Sequence, residues 1–177
     1  DRQQELADPV QPSSYDGSNS GTSGIEGTPE TLQGQPKMRV FGKVFNVRPD
    51  LLNGSTLIRG VNHDADGNTA AVASFDAARD RGSPLVLDTD VADLAALQGA
   101  TQTTGEYDTA LSEGLLRTSA TSGEVTCDLT EGATAADRYP HRLIERLLLD
   151  QGVDAADISA TDLTQLDTDA PYETGIV

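Results

Sequence analysis

From Met38 to Leu129 the apolar residues fall in short alternating runs divided by turn-forming residues, a pattern that admits little besides a sheet of short strands. Side chains along a strand point to opposite faces in turn. In a strand over 39–47, Val40, Gly42, Val44 and Asn46 therefore take one side, and Phe41, Lys43, Phe45 and Val47 the other. β-branched and aromatic residues dominate this run. Arg48-Pro49-Asp50 ends it, because proline lacks a ladder donor and holds the residue before it extended. Asn53-Gly54 is a turn signal ahead of a second strand over 56–61. The turn from Asp64 to Asn68 precedes a third strand over 71–75, and a fourth covers 84–87.

Val91, Leu94 and Leu97 then recur at a helical interval, with Asp88 or Thr89 as cap and Gly99 near the end. Tyr107, Thr109 and Leu111 alternate in a strand over 106–119, where Gly114 marks a bulge. A strand over 124–129 turns Val125, Cys127 and Leu129 inward. The clearest helix covers 140–151, with Pro140 at its first position and Gly152 at its left-handed end. Its apolar stripe is Leu143, Ile144, Leu147 and Leu148, opposite Arg142, Glu145 and Arg146. A shorter helix follows, capped by Ser159 with Asp162 three residues on, and Leu163 and Leu166 face inward. Residues 174–177 read as the start of a strand cut short.

Residues 1–36 have another character. Their apolar residues are Leu6, Ala7, Val10, Tyr15, Ile25 and Leu32, set among Ser, Gly, Thr, Pro and Gln without a period. Such a segment cannot bury enough area alone to offset its ordering entropy, so an extended arm that needs support from a neighbour is expected. The expected class is α+β. Short antiparallel strands with one helix between them (37–135, helix near 90–99) follow the arm of 1–36, and a helical unit of 136–177 ends in a truncated strand. Asp1 in place of Met fits a processed product or part of a longer polypeptide.

Charge narrows the function. Twelve Lys and Arg stand against 29 Asp and Glu, a net charge of −17. Nucleic-acid binding needs clustered cations facing phosphates, and anionic membrane surfaces ask the same, so neither partner is expected. No run is long and apolar enough for a membrane span, and no secretory leader is visible. Asp outnumbers Glu, and the lysines are Lys37 and Lys43 alone. Such acidity is tolerable where salt screens self-repulsion, which points to a halophilic habitat.

No constellation of catalytic side chains stands out. His63, in a turn, and His141, at a helix start, lack hydrolase spacing and read as surface or helix-end residues. Asp64, Asp66 and Asn68 form an oxygen-rich turn and are a weak Ca²⁺ candidate, with Ala73 where an EF-hand loop would continue its ligands. Gly17, Gly21, Gly24 and Gly27 lack the Lys and Ser/Thr of a phosphate loop. Cys127 reads as a small core residue, and being the lone cysteine it excludes an internal disulfide. No catalytic residue, cofactor or dedicated metal site is expected.

The order of several short phrases is similar to that of tail-tip and baseplate structural proteins of long-tailed phages, siphovirus-like and Mu-like. They are 2–9, Tyr15-Asp16-Gly17, Gly24-Ile25-Glu26-Gly27, and Leu32-Gln33-Gly34-Gln35-Pro36-Lys37 running into Phe41-Gly42-Lys43-Val44-Phe45-Asn46-Val47-Arg48-Pro49. Downstream come 93–98, 105–117, 123–129, 143–149 and 172–176, in collinear order over essentially the whole chain. Met38 stands where the family has a second proline, and the His63-Asp64 turn also departs from it. The resemblance implies a non-enzymatic virion protein of the tail baseplate or tip, made in the host cytoplasm and partnered by copies of itself and by other tail proteins. With the acidity, it implies a virus of a halophilic archaeon. The alternatives are a capsid or neck protein of a halophilic virus, and an acidic cell-surface or Ca²⁺-binding module.

Overall fold

Alternation does produce strands. The computed structural model describes residues 14–19, 24–62, 72–150 and 152–177, and within them the fold is mixed α/β. Nine strands form one curled sheet: β1 (Phe41–Val47), β2 (Asp50–Asn53), β3 (Ile58–Gly60), β4 (Val72–Asp80), β5 (Ser83–Asp90), β6 (Glu106–Ala110), β7 (Leu115–Thr118), β8 (Val125–Glu131) and β9 (Gly175–Ile176). Their order is β2-β3-β7-β6-β5-β4-β8-β1-β9. Three helices accompany them: α1 (Leu94–Gly99), α2 (Pro140–Asp150) and α3 (Ala160–Asp169). All neighbours pair antiparallel except β5 and β6, which run parallel with α1 in the crossover between them.

Bulges account for the curl. An extra residue in one strand bends it and sharpens the local twist. β1 carries one between Val44 and Val47, where Asn46 takes a left-handed φ of 55° and its N–H donates to Asp128 Oδ1. β4 carries two, between Val72 and Ser74 and between Phe75 and Ala77. The sheet so bent brings its far ends together. Asn62, just past β3, donates its N–H to Met38 O at 2.9 Å and its side-chain Nδ2 to Val40 O at 2.8 Å. It also accepts the Val40 N–H on Oδ1. One asparagine thus does for the entry to β1 what a strand partner would do.

The curled sheet encloses the main core: Val40, Val44, Val47, Val61, Val72, Phe75, Ala78, Tyr107, Leu116, Cys127 and Leu129. A second core lies on the outer face of β2, β3, β6 and β7. There Leu52, Ile58, Ala110 and Leu115 pack with Leu97 of α1 and with Tyr15 and Leu32 of the N-terminal segment. Over 14–19 and 24–36 that segment is a docked loop rather than an extended run. Tyr15 pairs with Gln35 and Gly34 through the backbone, and the Gly27 N–H donates to Leu52 O at 3.0 Å.

Several expectations are corrected in detail. β2 arises where only a turn was read, and β4 and β5 run on through polar residues to Asp80 and Asp90. α1 starts at Leu94 with Asp93 as its N-cap, because 88–90 are still extended in β5. The single strand over 106–119 is two strands joined by a 3-10 turn, Leu111–Glu113. Gly114 is that turn's left-handed end (φ 64°) rather than a bulge, and a Cβ there would sit 2.2 Å from Val61 O. On α2, Leu143 is fully buried but Ile144 is exposed, so the apolar stripe is narrower than its sequence. Ser159 caps α3 by accepting the Asp162 N–H, and β9 forms against β1.

Closure by Asn62 is open to test. Asn62→Ala leaves the buried Val40 groups unpaired and puts an alanine in a left-handed conformation, which together cost about 3 kcal/mol. Asn62→Gly removes the same bonds without the backbone penalty and should cost about 1 kcal/mol less. Chemical denaturation of the two variants beside the parent measures both, and equal stability of all three would show that the sheet closes without this residue.

Candidate functional site

The residues singled out by sequence do not converge. His63, Asp64, Asp66 and Asn68 lie outside the described residues, as does Gly21. Cys127 is inward on β8 and fully buried, and desolvation pushes its thiol up to about 12, so it is unreactive at neutral pH. His141 is a helix-end residue, as read, but not a surface one. It is buried in the first turn of α2, with Nδ1 3.3 Å from Asp167 Oδ1 of α3, within ion-pair distance but without hydrogen-bond geometry. Among the described residues no three His, Cys, Asp or Glu side chains come together as metal ligands. No helix there is long and apolar enough to cross a membrane.

What the fold does assemble is a pair of charged clasps that fasten the terminal segments to the sheet. The first holds the N-terminal loop. Lys37, 3 % exposed, places Nζ 2.8 Å from Glu26 Oε1 and 5.5 Å from the centre of the Tyr15 ring. The Tyr15 hydroxyl donates to Asp50 Oδ2 at 3.0 Å, at the start of β2. Burial, reinforced by the Asp50 carboxylate, raises the Tyr15 phenol far above its ordinary value. Burial also raises Asp50, against the opposing effect of the Tyr15 hydrogen bond. A cation, an aromatic face and a carboxylate on one loop thus meet a carboxylate on the sheet.

The second clasp holds the C-terminal helices. Glu131, at the end of β8 and 4 % exposed, accepts both Nη groups of Arg146 of α2, one at 2.8 Å, and the Gly42 N–H at 2.9 Å. Arg146 also lies 5.7 Å over the Phe41 ring. Arg138 reinforces the attachment through Glu173 (3.2 Å) and Gly132 O (2.9 Å). Gly42 must be glycine here, since it has φ 77° and a Cβ would stand 2.2 Å from Thr174 O as β9 comes in. A groove of about 410 Å³ opens beside this clasp, lined by Val72, Ala73, Glu131, Arg142 and Arg146 among others. Its central carboxylate is fully engaged, so the geometry there holds elements together rather than presenting a free acid or base.

Two further arginines, half-buried Arg117 and buried Arg59, tie elements together. Arg117 on β7 caps the short α1: its Nη1 donates to Leu97, Gln98 and Ala100 carbonyls at 2.8, 2.6 and 2.9 Å, and Nε to Thr56 O at 3.0 Å. Six residues form no stable helix by themselves, so this guanidinium on the exposed carbonyls is a condition of α1. Arg59 on β3 points to Thr118 Oγ1 at 3.0 Å, and desolvation lowers its pKa. Neither role was visible in the sequence, where both arginines stand inside strand patterns and carry no spacing signal.

Compared with protein-family models, curated proteins and solved structures, the chain finds no match.

The N-terminal clasp yields two expectations. Lys37→Met strips the cation from a buried pair and should cost about 3 kcal/mol, with limited proteolysis cutting earlier within 24–36. Parental stability and an unchanged cleavage pattern would show that the loop docks by its apolar residues alone. The second expectation concerns pH. Because the docked state raises the Tyr15 pKa, the stabilisation is whole below the unfolded value of about 10 and is lost as pH rises beyond it. An alkaline absorbance titration should show Tyr15 ionising late, together with release of the loop, and Tyr15→Phe should remove that step. Ionisation in the ordinary range with the fold intact would contradict the docking.

Proposed function

We propose that this chain is a structural protein of a virion, a component of the tail baseplate or tail tip of a tailed virus of a halophilic archaeon. In this reading it works by assembly, with copies of itself and with other tail proteins, and not by catalysis. It is organised as an arm of 1–36, a β-rich body of 37–135 with strands that are mainly antiparallel, and a helical unit of 136–177.

What carries the proposal is the order of short phrases along the sequence, which resembles that of tail-tip and baseplate proteins. Two structural features favour it. The sheet surface around β2, β3 and α1 receives a loop poor in regular structure through Tyr15, Leu32 and Lys37, the kind of surface on which neighbouring subunits exchange arms. Large apolar side chains also stand exposed on a strongly acidic protein: Phe45, Val86, Tyr172 and Val177 are each more than 60 % exposed. Apolar side chains left in water on so charged a surface suit contacts with other subunits. The net charge of −17 suits a particle that assembles in concentrated salt.

The test is peptide mapping by mass spectrometry of purified particles in molar salt, before and after tails are separated from capsids. Enrichment of this chain with tails is the expected result. Enrichment with capsids would move it to the shell or neck, and absence from particles would end the virion reading.

A further inference from the structure

β5 is internal by position yet exposed at every residue except half-buried Leu85. Its ladder with β4 covers only Asp80↔Ser83, Arg79↔Pro84 and Ala78↔Leu85. Beyond Leu85 the two strands part. β5 continues against β6 alone, through Val86↔Glu106, Leu87↔Tyr107 and Asp90↔Thr109, while β4 pairs with β8 on its other side from Val72 to Asp80. Tyr107 reaches across the divergence, its hydroxyl donating to Phe75 O at 3.3 Å.

The direction of the free groups follows from the bonds that are made. The Val86 N–H donates to Gly105 O at 2.9 Å, toward β6. Alternation along a strand then turns the N–H and C=O of Leu87 away from β6, to the side β4 has left. Among the described residues no strand pairs with β5 there. Val86 is 64 % and Leu87 48 % exposed at the same place. Proteins usually blunt such an edge with lysine, proline or a covering element. Here residues 85–90 hold no Lys or Arg, and Asp88 and Asp90 follow the apolar pair.

We propose that the edge of β5 at Leu87 is a docking site for an extended, basic segment of a different polypeptide, which adds to the sheet as a strand. Main-chain bonds to Leu87 would supply affinity, Val86 and Leu87 would take apolar side chains, and Asp88 would select Lys or Arg beside them. The edge itself decides the occupant: residues 85–90 hold Asp88 and Asp90 and no Lys or Arg, so a basic segment complements it where the same edge of a second copy would repel it. The inference is independent of the virion reading, since it rests on the strand edge alone.

The probe is a synthetic peptide of alternating Val and Lys, added to isotope-labelled protein at the lowest salt that leaves its far-ultraviolet spectrum unchanged. In the free protein the Leu87 amide should exchange rapidly, and the peptide should slow it by about tenfold or more. A peptide of equal charge with a central proline, and one with Glu in place of Lys, should fail to protect it. Asp88→Lys, at an exposed site away from the core, should weaken binding by about tenfold with the fold intact. Slow exchange of Leu87 before peptide is added, equal binding by the proline peptide, or no binding by any of the three would overturn the proposal.

Discussion

Leu115 and Leu116 are neighbours in sequence, both fully buried, and they lie in different cores. Only a strand with both faces covered does this, since successive side chains leave it in opposite directions. Leu116 points into the curled sheet with Val61, Tyr107 and Leu129. Leu115 points out, to Leu52, Leu97 and Tyr15. The rest of the fold follows from that two-sided burial. The inward side requires the sheet to bend until its ends meet, which the bulges of β1 and β4 and the side chain of Asn62 accomplish. The outward side requires a cover, and among the described residues a six-residue helix with the loop of 14–19 and 24–36 provides it.

That cover is weak in apolar material, and charge makes up the difference. Lys37 is one of only two lysines in the sequence, and it is buried beneath the loop against Glu26 and Tyr15. A buried pair contributes less by its net energy than by the cost of any arrangement that separates it. The same logic governs Glu131 and Arg146 at the other end of the chain. In a protein carrying a net charge of −17 some of the scarce cations stand on the surface, as Arg48 and Arg142 do, but Lys37, Arg59 and Arg117 are placed where they orient a segment. Surface repulsion is left to the surrounding salt, which screens exposed charges well and buried pairs much less. The fold can therefore tolerate the acidity that its clasps do nothing to neutralise.

The parts legible in sequence are those where burial and local pattern agree. β8 was plain because its alternating Val125, Cys127 and Leu129 face one continuous core and are inward as read. In β1 the bulge turns Val47 to the same core as Val44, instead of the opposite face read for it, and leaves Phe45 exposed. Pro140, Gly152 and Ser159 marked helix ends through local backbone chemistry that needs no tertiary context. The missed pieces depend on partners distant in sequence. β2 is held by β3 and its Asp50 by Tyr15. Asn53, by contrast, does start the turn read for it, accepting the Ser55 and Thr56 N–H groups, and only its reach to Gly24 O lies far in sequence. Residues 88–90 looked like a helix start because Asp and Thr favour caps, but pairing with β6 keeps them extended. The parallel register of β5 and β6 left no local trace at all. His141 shows the limit for single side chains, since nothing near it in sequence reveals that α3 will cover it.

The two-sided burial of β7 also bears on why β5 is left bare. β6 and β7 can be covered on both faces only if the loop and α1 stay on one side and the curled sheet closes on the other. β5 lies at the seam between those two demands: its first residues follow β4 into the curl, and its last ones follow β6 toward α1. A strand cannot do both without leaving one neighbour, and it leaves β4 after Leu85. The bulge between Leu87 and Asp90 falls just after that parting. Exposed Val86 and Leu87 are thus the consequence of how the sheet bends, and the fold itself prepares an apolar, unpaired edge within an acidic surface.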